Sequence, residues 1–237
     1  MSIFKVSIFQ KSLTEGLNLS VFKRLASLKS DFLLLPEFFF ADMGVKDYQS
    51  AADKSQYALD WLLKLNESYK GVIIGGSIVQ KEDDKLYNST PIISNGEVID
   101  WYRKRNLTPE ESQLVSPGSE PGIFILKGHR FAVLSGADIQ NPQHFQELAD
   151  MDVKIVFVVM NDCSNGHREL NTDPLSEAAA KHGLYITRCC STGTVFGTPS
   201  QGRSMVVTPR GISWRVSPEE EDKEILMTIM LSVSEQS

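Results

Sequence analysis

The chain has 237 residues, 41% of them hydrophobic, with a formal net charge of -6 and an isoelectric point near 5.3. That length lets one α/β domain bury a large core, so residues 1–237 are expected to form a single domain. An acidic balance without a clustered Lys/Arg run excludes the electrostatic footprint of a nucleic-acid or anionic-membrane binder and leaves a small molecule as the expected partner.

In chain order, FKVSIF (Phe4–Phe9) and DFLLLPE (Asp31–Glu37) are short apolar runs that read as strands. Ser50–Lys70 then places Ala58, Trp61, Leu62, Leu65 and Tyr69 at helical spacing. GVIIGGSIV (Gly71–Val79) and STPIIS (Ser89–Ser94) follow as strands, and NGE (Asn95–Glu97) before VIDWYRK is a strong hairpin signal. FAVLSG (Phe131–Gly136), KIVFVVM (Lys154–Met160), LYITRCC (Leu184–Cys190), SMVVTP (Ser204–Pro209) and EILMTIMLS (Glu224–Ser232) complete the strands. Amphipathic stretches at Pro142–Met151 and Asp173–His182 lie among them, PRGI (Pro209–Ile212) marks a second turn, and the acidic Pro218–Glu224 reads as a solvated loop. Runs nearly continuous in Val, Ile and Leu are what strands buried on both faces look like. The expectation is an α/β fold with mixed sheets and helices outside.

No apolar run approaches the roughly 20 residues that span a bilayer, and Lys5 interrupts the apolar N-terminus, so a cytoplasmic location is expected. Cys163, Cys189 and Cys190 are too few and too poorly spaced for a disulfide framework or a zinc site, and neither metal nor cofactor is expected.

Three charged residues stand out. Glu37 follows LLLP and precedes FFF, where a carboxylate is either a structural ion pair at a strand end or an acid tuned for chemistry. In WYRKRNL, alternation turns Arg103 and Arg105 to one face and Lys104 to the other, which makes Lys104 either an inward electrophile or a solvated strand end. Glu111, in TPEESQLVSPG, carries the weakest signal alone, since a loop glutamate is ordinarily solvated.

The ordered set LLLPE, YRKRNL, ESQLVSPG, a strand ending in small residues and Asp, and PQHFQELA resembles the carbon–nitrogen hydrolase (nitrilase) superfamily. GGSI (Gly75–Ile78), KLYNST (Lys85–Thr90) and GRSMVVTPRG (Gly202–Gly211) extend the resemblance from Lys5 to about Leu231. It implies a four-layer α-β-β-α sandwich, a family that pairs into dimers, and a site for small amide, nitrile or carboxylate ligands. By position it makes Glu37 the general base and Lys104, with the backbone N–H of Ala137, the stabiliser of the tetrahedral oxyanion. Glu111 would hold Lys104 and manage the leaving amine's proton. Acyl transfer needs these groups: a base, a nucleophile, and positive or N–H groups where negative charge develops. Tyr87 and Asn88 would fix the loop beneath the pocket, and Asp138 would cap or anchor the following helix.

The nucleophile is the departure. The family's cysteine stands two positions before that Asp, and the matching residue here is Gly136, which has no side chain to attack with. Alternation points the neighbouring Ser135 to the opposite face. Two carboxylates on one ammonium would raise one carboxylate pKa. Such a chain is expected to be a binding protein or pseudoenzyme. The alternatives are an enzyme using Cys163 or water activated by Glu37, a scaffold or regulator that assembles with a second subunit, or an active amidase inactivated by engineering.

Overall fold

The computed structural model describes residues 2–42, 44–126, 128–163 and 174–234. Two mixed sheets lie face to face. The first runs in the order Ile225–Val233, Ser2–Gln10, Phe32–Leu34, Val72–Ile74, Lys85–Ser94 and Ile78–Glu82, with Glu97–Arg103 also paired to Lys85–Ser94. The second runs Gly211–Arg215, Met205–Thr208, Tyr185–Cys190, Ile155–Met160, His129–Ser135 and Ile123–Leu126. Strands that read as continuous apolar runs occupy the sheet interiors: Ser2–Gln10, Phe32–Leu34 and Val72–Ile74 are mutually parallel, as are His129–Ser135, Ile155–Met160 and Tyr185–Cys190.

Alternation along each strand sorts side chains into three cores, and these define the four layers. Phe4, Val6, Ile8, Phe32, Phe131 and Phe157 fill the space between the sheets. Phe32 stands at its centre, with ring centroids 6.0, 5.4 and 4.9 Å from Phe4, Phe131 and Phe157. Helices α1 (Leu19–Ala26) and α2 (Tyr48–Ser68) cover the outer face of the first sheet, where Leu25, Ala58, Leu62 and Leu65 meet Leu33 and Ile73. Helices α3 (Pro142–Asp150) and α4 (Pro174–His182) cover the second through Phe145, Leu148, Leu175 and Ala179. The architecture is the expected α-β-β-α sandwich.

The NGE hairpin forms as read, with Asn95 and Gly96 both at positive φ (57° and 78°) as a tight two-residue turn requires. Two expectations need adjustment. GVIIGGSIV is two strands, because Gly75 and Gly76 break it: Gly76 takes φ 64°, and a Cβ there would strike the carbonyl oxygen of Pro36. That close approach lets Glu37 bridge to Ser77. Helix α2 starts at Tyr48, two residues earlier than its apolar spacing shows, because Asp47 and Ser50 form a capping box. No helix among the described residues is long and apolar enough to cross a membrane.

Candidate active site

The polar residues singled out by sequence come from the C-terminal ends of strands and converge on one cavity of about 640 Å³. Glu37 follows Phe32–Leu34, Lys104 follows the hairpin strand Glu97–Arg103, Gly136 follows His129–Ser135, and Asn161, Asp162 and Cys163 follow Ile155–Met160. Glu37 and Lys104 are each 3% exposed. Alternation orients the basic triplet as expected: Lys104 points inward, while Arg103 pairs with Glu82 and Arg105 with Glu147, both at 2.6 Å.

Lys104 Nζ donates to Glu111 Oε1 at 2.6 Å and lies 3.3 Å from Glu37 Oε1. Burial pulls the Lys104 pKa down, but Glu37 and Glu111 outweigh it and leave the ammonium above its ordinary value. Glu111 accepts further bonds from Tyr48 Oη (2.7 Å) and the Thr108 N–H (2.9 Å). The expected upward shift of a carboxylate is not what happens at Glu111. Burial does push it up, yet Lys104 and these donors hold it below the usual carboxylate range.

The two oxygens of Glu37 have different surroundings. Oε1 accepts from Asn88 Nδ2 (3.0 Å), Ser135 Oγ (2.9 Å) and Lys104 Nζ (3.3 Å). Oε2 accepts only one described bond, from the Asn161 N–H at 3.0 Å, and faces Gly136. The Ser135 bond corrects the expectation that this side chain points away from the site. The chain leaves its strand at Ser135 and enters a tight turn, Gly136–Gln140, so strict alternation ends one residue early. Ser135 is 1% exposed and does not line the cavity; its hydroxyl braces Glu37 from behind.

Gly136 adopts φ 47°, a region costly for residues with a Cβ. A Cβ built on it would collide with Lys104 Nζ, while lying 3.0 Å from Lys104 Cε and 3.1 Å from Glu37 Oε2. The ammonium therefore occupies the space a side chain at this position would claim. Ala137, the next residue, lines the cavity within the same turn.

Asp138 anchors that turn rather than capping α3, which is capped by Asn141. Its carboxylate accepts from Tyr102 Oη (2.6 Å), Ser135 N–H (2.8 Å), Asn106 N–H (2.6 Å) and Arg105 N–H (3.2 Å). Burial pushes the Asp138 carboxyl above the usual range against the pull of these donors. Asp138→Ala would strand several buried donors and is expected to cost about 3 kcal/mol or more, measured by urea denaturation.

Of the two residues expected beneath the pocket, Asn88 bonds to Glu37, and Tyr87 lies under the Arg103 guanidinium, 4.1 Å from the ring centroid. Tyr48 and Phe196 were not legible as site residues. Tyr48 precedes the apolar spacing of α2, and only the Asp47/Ser50 cap would have brought it inside the helix. Phe196 lies in the short hairpin Gly193–Val195/Thr198–Ser200, which has no apolar periodicity of its own. His167 lies outside the described residues.

The profile of the Carbon-nitrogen hydrolase family matches residues 11–236. The chain is 25% identical over 189 residues to the 2-oxoglutaramate amidase of Bacillus subtilis, covering 78% of this chain and 73% of that protein. It is 26% identical to the hydrolase in the agr operon of Staphylococcus lugdunensis, covering 87% and 90%. Among solved structures, Nit3 of Saccharomyces cerevisiae, a nitrilase-superfamily member, superposes with a TM-score of 0.81 at 21% identity over 97% of this chain and 90% of that one. An amidase of Nesterenkonia sp. AN1, with the acetamide moiety of fluoroacetamide added covalently at its active site cysteine, gives 0.81 at 18% identity over 96% and 89%.

Proposed function

Because this chain belongs to the carbon–nitrogen hydrolase family, we propose that its cavity is an amidase-type site without its thiol, binding small amide or nitrile ligands and lacking covalent turnover. The carrying observation is the geometry at Gly136. A side chain there would stand against Glu37 Oε2 and Lys104, where a nucleophile needs a base and an electrophile, and there is none. The cysteine-borne adduct of the Nesterenkonia amidase supports reading this slot as a nucleophile's.

In this reading Glu37 Oε2 is the basic oxygen, left available because Oε1 is taken up by three donors. Lys104 and the Ala137 N–H meet the carbonyl oxygen as charge develops on it. Glu111 holds Lys104 in place. A bound carbonyl would thus be polarised, with no side-chain atom at position 136 to attack it. The test is hydrolysis of small amides, nitriles and esters by the chain as given, by Gly136→Cys and by Glu37→Gln. Activity confined to Gly136→Cys supports the proposal. Activity in the unaltered chain that Glu37→Gln abolishes overturns it.

A second reading has one observation in its favour: Cys163 is exposed and lines the same cavity. Its chemistry is unfavourable. Burial and then the charge of Glu37 push the thiol up to about 11, so it is protonated at neutral pH and a poor nucleophile. Native protein is therefore expected to show one slowly reacting thiol in a disulfide-exchange titration at neutral pH, its rate climbing as pH rises toward 11, and all three thiols once denatured. A fast-reacting Cys163 would reopen this reading.

A further inference from the structure

We propose that the ligand of this cavity carries a cationic amine, an alkylammonium group set away from its carbonyl and held by an aromatic wall and the carboxylates at the mouth. The inference rests on the cavity being a ligand site, as argued above, and goes on to name the chemistry of what enters it.

Phe38, Tyr48 and Phe196 all line the cavity. Their rings form a closed triad, with centroids 4.8 Å (Phe38–Phe196), 5.1 Å (Tyr48–Phe196) and 5.6 Å (Phe38–Tyr48) apart. Ring faces carry the negative part of the quadrupole and attract a cation within about 6 Å. Two of these rings sit on backbone that bulky residues avoid, Phe38 at φ 52° and Phe196 at φ 49°. Such strain persists only where the surroundings hold it, and it concentrates at ligand-binding segments.

Charge around the cavity points the same way. Among the described residues lining it, five carboxylates face two lysines. Asp162 has Arg203 at 3.5 Å; setting it aside leaves four against two. Glu37 and Glu111 share Lys104, so that ammonium has little left for an incoming anion beyond a carbonyl oxygen. At the exposed mouth Asp47 and Glu110 stand with Lys46. Hydrogen bonds from the Ser50 N–H and hydroxyl hold Asp47 below the usual carboxylate range, so it is charged at neutral pH. A carboxylate ligand would meet repulsion at the mouth and find no uncommitted cation inside. An ammonium would meet attraction at the mouth and ring faces within.

The test uses the full chain and three probes of matched size, butylammonium, butyramide and butyrate, titrated calorimetrically at low ionic strength. Butylammonium is expected to bind about tenfold or more tightly than butyrate, as a desolvated cation–aromatic contact supports. Phe196→Leu, which keeps an apolar wall without the ring, and Glu110→Gln should each reduce that preference severalfold. Butyrate binding as well or better, a preference unmoved by both variants, or no binding by any probe overturns the proposal. A second arm follows hydrolysis by Gly136→Cys of γ-aminobutyramide, valeramide and succinamate, expected in that order of kcat/KM. If Gly136→Cys hydrolyses valeramide but favours succinamate, the ammonium inference falls while the amidase-type site stands. If it hydrolyses none while butylammonium still binds selectively, the amidase-type reading falls and the cation site stands.

Discussion

Gly136→Cys is expected to raise hydrolysis of small amides by about three orders of magnitude or more, since loss of a nucleophile removes most of the acceleration such sites supply and its return restores it. The remaining parts are placed for this. Glu37 Oε2 would lie 3.1 Å from the new Cβ, near enough to take the thiol proton, and Lys104 is the group that must give way. Its ammonium ends a flexible side chain, so withdrawal toward Glu111 is feasible, and it returns the lysine to where a developing oxyanion needs it. The backbone exacts a cost. At φ 47° a residue with a Cβ carries about 1–3 kcal/mol of strain, and the variant should unfold at correspondingly lower urea concentration. A Gly136→Cys protein that folds, binds amides and still shows no acyl-enzyme in a mass spectrum would refute the assignment of this slot.

The second large effect is expected at Lys104. Lys104→Met removes a buried cation from between two carboxylates, and breaking such a cluster from one side costs about 3–5 kcal/mol because the surviving charges lose their compensation. The pH dependence fixes the mechanism. Glu111 has its folded pKa below the reference value of 4.5, so its share of stability is present above that pH and is lost as pH falls through the lower folded value. Lys104 has its folded pKa above 10.5, so its share is present below that pH and is lost as pH rises through the higher folded value. Denaturation midpoints measured across pH should therefore form a plateau between these limits that steepens at both flanks, and Glu111→Gln should flatten the acid flank. If Glu111→Gln leaves that flank unchanged, the pair does not stabilise the fold in this way.

The layered architecture was legible because strands buried on both faces must be written in Val, Ile and Leu, and the chain writes them plainly at Lys154–Met160 and Phe131–Gly136. Glu37 and Lys104 were legible for the opposite reason, as charges where burial makes charge expensive. Ser135 was misread because a period of two holds only while the strand lasts, and the strand ends at that residue. Tyr48 and Phe196 escaped because neither lies within a periodic run, and their proximity is created by tertiary packing alone. At Asp138 the sequence points to the right anchor but not to its partners, since Tyr102, Arg105 and Asn106 lie more than 30 residues away along the chain.

The bonding of Glu37 also bears on how the chain folds. Its partners Asn88, Lys104, Ser135 and Asn161 are 51, 67, 98 and 124 residues distant in sequence and come from both sheets. Closing loops of that length costs chain entropy that only the docked sheets return. Neither half of the chain can preassemble this carboxylate's surroundings, so the cavity should arise with the last docking step, and ligand affinity should appear together with cooperative tertiary structure. Ligand added during refolding would then trap completed molecules without accelerating the steps that lead to them.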